Sequence, residues 1–187
     1  MGSKVTQEGE MDFHADMYIM NHQGIMDIVG MEALQNRHLC WIAKKELFDA
    51  PWYGRLLRDG EMISLDRSNK AGLIKLMKDV KLSLEEKKRA VAIFPEGTRA
   101  KEQTILPFKQ GTKIIAEKLK LRVQPIVITG SKWVLNEHDK TGHSGTIYYK
   151  FLPSRTVDTT DKEWFNHIRQ EMQQEVDKAF NIYQRNR

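Results

Sequence analysis

Asn21-His22-Gln23-Gly24-Ile25-Met26-Asp27 sets a histidine and a carboxylate five positions apart, directly after a short apolar run. Histidine is the side chain that exchanges a proton near neutral pH. A carboxylate on its far ring nitrogen fixes the tautomer and stabilises the imidazolium. On a straight helix these two side chains would project about 140° apart, at about 100° per residue. They meet only if His22 lies in a turn and Asp27 in the first turn of the helix that follows, and Gly24 is expected to give that turn its freedom. Taken alone, the pair reads more simply as an aspartate that caps a helix beside an ordinary loop histidine.

Three more groups carry possible chemistry. Phe94-Pro95-Glu96-Gly97-Thr98-Arg99 ends another apolar run. There Gly97 permits close backbone approach, Arg99 offers a forked donor suited to phosphate, and Glu96 either bonds a hydroxyl or ties the loop down. A plain turn with a surface arginine would have the same composition. In Gly60-Glu61-Met62-Ile63-Ser64-Leu65-Asp66-Arg67, the arginine again follows a strand-like run, and a surface ion pair is the simpler alternative. Val123-Gln124-Pro125-Ile126-Val127 is strand-like, with a proline expected to restrict its pairing.

These groups need elements that deliver them to one place. Residues 17–20, 39–43, 61–65, 90–94 and 123–129 read as short strands, and residues 146–152 as an edge strand with weaker alternation. Between them, residues 25–34, 51–58, 71–84 and 109–119 have helical character. Leu73, Leu76, Met77, Val80 and Leu84 form one apolar stripe. A long polar helix over residues 163–183 turns Trp164, Ile168, Met172, Val176 and Phe180 inward and serves as a docking helix. Strands alternating with helices predict an α/β domain, with a mixed, mostly parallel sheet flanked by helices and the site at the strand ends.

The 187 residues form one domain, 1–187, with the motifs inside 18–129. Thirty Lys and Arg against 25 Asp and Glu give +5, which suits a phosphate-bearing partner. The single cysteine, Cys40, rules out an intramolecular disulfide and a cysteine zinc cluster. The longest apolar runs, 39–43 and 90–94, are far short of the roughly 20 residues of a membrane span. With no aromatic stacking platform or finger motif, nucleic acid is not an expected partner.

Four blocks in this order and spacing resemble the 1-acylglycerol-3-phosphate acyltransferases, the lysophosphatidate acyltransferase family. His22 and Asp27 resemble its His, four residues, Asp signature. Residues 60–67 resemble its second block, and 123–127 its fourth. Residues 94–99 match its Phe-Pro-Glu-Gly-Thr-Arg block at every position. Ala43-Lys44-Lys45-Glu46-Leu47 and Leu106-Pro107-Phe108-Lys109-Gln110-Gly111 are similar to stretches between the blocks.

The resemblance implies a glycerolipid acyltransferase fold and acyl transfer from acyl-CoA or acyl carrier protein to the sn-2 hydroxyl of 1-acylglycerol 3-phosphate, giving phosphatidate. His22 would be the general base and Asp27 its orienting partner. Arg67 and Arg99 would bind the lysophosphatidate phosphate with help from Lys44. Gly60, Glu96, Gly97 and Thr98 would complete the substrate-binding set. No metal or organic cofactor is implied. Another acceptor, such as glycerol 3-phosphate or a different lysophospholipid, and a non-catalytic lipid-binding module on the same fold are the alternatives.

Gly24 departs from the Ser or Thr that the family often has there. The family also usually carries hydrophobic segments before the first block, whereas twenty-one residues, many of them polar, precede His22. The expectation is peripheral contact with the cytoplasmic face of a membrane, or attachment through a missing N-terminal anchor. Pro51-Trp52-Tyr53-Gly54-Arg55-Leu56-Leu57-Arg58 mixes interfacial aromatics, leucines and arginines as such a contact would, or as a packed surface helix would. Met62, Met77 and Trp133 are candidates to line an acyl groove. Glu137, His138, Asp139 and His143 read as solvated loop residues rather than a metal site.

Overall fold

A computed structural model describes residues 2–66, 70–102 and 104–185, with side chains beyond residue 179 and at Lys70 left aside. Ten strands and seven helices are found among the described residues. β1 (Lys4–Glu8), β2 (Met17–Met20), α1 (Met26–Leu34), β3 (Cys40–Lys44), α2 (Lys45–Phe48), α3 (Tyr53–Asp59) and β4 (Ile63–Leu65) lead to α4 (Lys70–Glu85). β5 (Val91–Ile93), α5 (Gln110–Lys118), β6 (Arg122–Thr129), α6 (Ser131–Val134), β7 (Leu135–Asn136) and β8 (Thr141–Gly142) follow, and β9 (Thr146–Phe151), β10 (Arg155–Thr156) and α7 (Trp164–Arg185) complete the fold.

The main sheet runs β1-β9-β6-β2-β5-β3-β4. β2 pairs in parallel with both β5 and β6, and β3 in parallel with β5 and β4. Only β9 and β10 run antiparallel to their neighbour β6. The predicted mixed, mostly parallel sheet flanked by helices is present. Its physical basis is visible in β2, where all four residues are buried and successive side chains serve opposite faces. Met17 and Ile19 join Leu76, Val80, Ile115 and Met172 in the core beneath α4, α5 and α7. Tyr18 and Met20 join Met31, Trp41, Ile128 and Tyr149 on the α1 side.

The long C-terminal helix docks as expected, burying Trp164, Ile168, Met172 and Val176 at a spacing of four; Phe180 lies among the side chains not described. Trp164 adds a hydrogen bond from Nε1 to Glu117 Oε1 at 2.9 Å.

One expectation about the sheet is corrected. β9 is not an edge strand, because β1 pairs with it in parallel over residues 4–8. That added strand is largely exposed and polar, so it has no apolar alternation to betray it. Pro125 restricts the pairing of β6 on one side only. It falls where the antiparallel partner changes from β10, paired at Arg122 and Val123, to β9, paired from Ile126 onward. The missing N–H is thereby placed in a gap between two ladders.

Because β2, β3, β4, β5 and β6 are parallel, their carboxyl ends emerge on one side of the sheet. His22, Lys44, the 94–99 block and the segment after β6 are delivered to that edge, where open α/β sheets place ligands.

Candidate active site

At the end of β2 the chain turns at His22–Ile25 and enters α1, so that Asp27 sits in the first helical turn. His22 Nδ1 and Asp27 Oδ2 are 2.8 Å apart. Asp27 is fully buried, and the same oxygen accepts the backbone N–H groups of Gln23 and Gly24 at 2.6 and 2.9 Å. The aspartate therefore does both things the spacing allowed: it holds the turn at the head of the helix and it binds the imidazole. With Nδ1 engaged, Nε2 is the ring nitrogen left to exchange a proton. Gly24 is not what makes the turn possible. It lies outside the left-handed region, and a Cβ there would meet nothing nearer than 3.6 Å.

His22 is held on three further sides. Its ring stacks on Phe94 with centroids 3.9 Å apart and planes 14° from parallel, and Phe94 stacks in turn on Trp41. Its backbone N–H donates to Glu96 Oε1 at 2.8 Å, and its carbonyl accepts the Ala100 N–H at 2.8 Å. Gly97, with φ 68°, makes the tight turn between those last two partners in a conformation that glycine adopts without penalty.

Glu96 is buried, and its second oxygen accepts the Leu106 N–H at 2.7 Å. Both oxygens thus serve the backbone, and of the two roles open to it from sequence, tying down the loop is the one it takes. It does not line the open pocket as expected of a substrate-binding residue. Burial, reinforced by the nearby Asp27 carboxylate, outweighs its two hydrogen bonds and raises its pKa to about 7.

A cavity of about 610 Å³ opens beside His22. Lys44, Gly60, Gly97, Thr98 and Arg99 all line it, together with apolar side chains that include Leu47, Leu56, Leu57 and Met62. One space thus joins an imidazole, two cations and an apolar wall. Arg99 pairs with Glu137 at 2.6 Å. Arg67 lies outside the described residues. Of the three groove candidates only Met62 lines this cavity; Met77 packs against the core under α4, and Trp133 stacks on His143. Among the described residues no group of three potential ligands is placed to hold a metal.

Several residues that position the site have no signal in the sequence. Asn21 bonds the Ile128 carbonyl and N–H through its side-chain amide at 2.8 and 2.7 Å, locking the end of β2 to β6. The Tyr149 hydroxyl reaches the carbonyls of Asp27 and Met26 at 2.8 and 3.0 Å, anchoring the start of α1. Trp41 donates to Glu32 at 2.7 Å and so ties the aromatic stack to α1. The Asn21 and Tyr149 contacts join segments distant in sequence, so local pattern could not single them out.

Comparison with known proteins agrees with this geometry. Residues 5–129 match the family model described as Acyltransferase. The 1-acyl-sn-glycerol-3-phosphate acyltransferase of Helicobacter pylori is 39% identical over 180 residues, covering 96% of this chain and 76% of that protein. The enzyme of that name from Cocos nucifera is 32% identical over 168 residues, covering 89% of this chain and 54% of that protein. The crystal structure of the 1-acyl-sn-glycerophosphate (LPA) acyltransferase PlsC from Thermotoga maritima shares the fold, with a TM-score of 0.76 at 23% identity over 95% of this chain and 72% of that one. With His22 and Asp27 in contact at the carboxyl edge of such a sheet, the chain belongs to the acyltransferase family that includes the 1-acyl-sn-glycerol-3-phosphate acyltransferases.

Proposed function

We propose that this protein transfers an acyl group from a thioester, acyl-CoA or acyl carrier protein, to the sn-2 hydroxyl of 1-acylglycerol 3-phosphate, giving phosphatidate. The observation that carries the reading is the His22–Asp27 pair at 2.8 Å opening onto a cavity that also holds Arg99 and Lys44.

His22 Nε2 takes the proton of the acceptor hydroxyl as its oxygen attacks the thioester carbonyl, and Asp27 stabilises the resulting imidazolium. The tetrahedral intermediate collapses, the carbon–sulfur bond breaks, and the departing sulfur takes the proton back from Nε2. The substrate is its own nucleophile, so no acyl-enzyme forms. Arg99 binds the phosphate, a task for which a planar fork is suited, with Lys44 adding charge. Arg67 is proposed as a second phosphate ligand on the family resemblance alone.

The same reading includes peripheral contact with a membrane surface. Trp52, just before α3, and Leu56, at its middle, are 77% and 61% exposed, and Leu56 also borders the cavity. Arg55 projects from the same helix, exposed and paired with Asp59 at 3.3 Å. An apolar rim with interfacial cations at the mouth of a lipid site fits an anionic bilayer. Among the described residues no helix is long and apolar enough to cross a membrane.

The test is thiol release from a long-chain acyl-CoA, with and without lysophosphatidate in vesicles, repeated with acyl carrier protein as donor. Acceptor-dependent release that disappears in His22→Ala is the expected result. Acceptor-independent release, or none with either donor from folded protein, would overturn the reading.

A further inference from the structure

Arg99 does not project freely into the cavity. Its Nη1 donates to Glu137 Oε2 at 2.6 Å, and this oxygen also accepts the backbone N–H of Ile25 at 3.2 Å. Ile25 immediately precedes α1 and lies three residues after His22. Glu137 reaches both from the turn between β7 and β8, 112 positions further along the chain than Ile25. A single carboxylate oxygen therefore fastens the arginine to the end of the turn that carries the catalytic histidine.

The platform under Glu137 is itself tied. Asn136 accepts the N–H groups of His138 and Asp139 at 3.1 and 3.2 Å and donates to the Asp139 carboxylate at 2.7 Å. His138 is spent on Asp139 at the exposed tip. Of the acidic and histidine residues in this loop, Glu137 is the one turned toward the site. It is not among the residues lining the cavity, whereas Arg99, Thr98 and His22 are. Any influence it has on substrate must pass through Arg99 or through Ile25.

A guanidinium carries five N–H donors in a planar fork. Glu137 occupies Nη1, which leaves the Nε–Nη2 edge, the side that binds a phosphate through two parallel hydrogen bonds. An arginine anchored in this way has fewer rotamers to lose when an anion binds. Its distance from His22 is also fixed, which sets where the acceptor hydroxyl falls once the phosphate is held.

We propose that Glu137 is a positioning residue for acceptor binding, holding Arg99 by one nitrogen so that its free edge receives the acceptor's phosphate monoester in register with His22. The inference rests on the reading of Arg99 as the phosphate-binding cation.

The experiment is steady-state kinetics with lysophosphatidate varied at saturating donor, and with donor varied at saturating acceptor, for the unmodified chain, Glu137→Ala, Glu137→Gln, Arg99→Ala and the Arg99→Ala/Glu137→Ala pair. Glu137→Ala raises the acceptor KM roughly five- to tenfold, changes kcat by less than about twofold and leaves the donor KM in place, the pattern of lost binding rather than lost chemistry. Glu137→Gln, whose amide oxygen still accepts the Nη1 hydrogen, recovers most of the loss. In the Arg99→Ala background, removing Glu137 adds nothing, since the two act as one unit.

If Arg99→Ala raises the acceptor KM but Glu137→Ala does not, or if the two effects multiply, the inference falls and the phosphate role of Arg99 stands. If Arg99→Ala leaves the acceptor KM unchanged, both fall. A fall in kcat that dominates in Glu137→Ala would assign the residue to the His22 turn through Ile25 and overturn the proposal. Thermal melts check the fold of each variant, and should Glu137→Ala unfold, the same cycle run with Glu137→Leu, which keeps the bulk and removes the acceptor, decides the question.

Discussion

The carboxylate of Glu96 holds the backbone N–H of His22 at 2.8 Å while its other oxygen holds the N–H of Leu106 at 2.7 Å. One buried side chain thereby fastens the loop after β2, the loop after β5 and the segment leading to α5. The proposed base is consequently placed by its main chain as well as by its ring contacts.

Glu96→Gln replaces two acceptor oxygens with one, so one of the two N–H groups loses its partner. A loss of about 1–3 kcal/mol in unfolding free energy is expected. The pH dependence gives a second check. Glu96 has its pKa raised from 4.5 to about 7 by burial, so between these values the folded state binds more protons than the unfolded state. Stability due to this group is full below about pH 4.5 and is lost as pH rises through about 7. Denaturant unfolding from pH 4 to 8 should show the unmodified protein losing stability relative to Glu96→Gln. Parallel curves would contradict the assignment.

His22→Ala and Asp27→Ala should separate chemistry from architecture. Loss of a general base typically lowers kcat by ~10²–10⁴-fold, and His22→Ala should do so with little change in melting temperature. Asp27 is fully buried and also accepts the N–H groups of Gln23 and Gly24. Its removal should cost activity and in addition about 1–3 kcal/mol of stability. Equal melting temperatures for the two variants would show that the turn does not depend on Asp27.

Gly30 touches Tyr149 so closely that a Cβ would lie 2.3 Å from the phenolic oxygen. That hydroxyl anchors the carbonyls of Met26 and Asp27. Gly30→Ala should therefore push α1 off its anchor, lowering stability by about 1–3 kcal/mol and reducing kcat through Asp27. Adding Tyr149→Phe should restore part of the stability by removing the clashing oxygen. A fully stable, fully active Gly30→Ala would refute the coupling between this contact and the site.

Trp52→Ala/Leu56→Ala removes two large exposed apolar side chains beside the cavity. Burial of such groups contributes roughly 1.5–3 kcal/mol each, and partial insertion of both should weaken sedimentation with anionic vesicles at least about tenfold. Trp52→Ala alone, at a residue outside the cavity lining, should change activity on detergent-dispersed substrate little. Vesicle binding that stays the same would assign the membrane contact to another surface.

Much of this protein is determined locally. Buried strands of four or five apolar residues and a stripe at every fourth residue in α7 follow from hydrophobic periodicity, and they suffice for the α/β class. The His22–Asp27 spacing and the 94–99 block specify a histidine within reach of a carboxylate and a turn beside a cation, because the backbone between neighbours in sequence allows few geometries. β1 was invisible because its partner is β9, more than a hundred residues away, and its polar residues form a strand only when that edge is offered. Glu96 had two roles open to it until tertiary packing turned both oxygens onto backbone N–H groups. Asn21, Tyr149 and Glu137 acquire their partners across 107, 122 and 112 positions, respectively. Such pairings depend on chain crossovers and sheet order, which no short window of sequence contains, and so the groups that hold the site in place were decided by the tertiary structure alone.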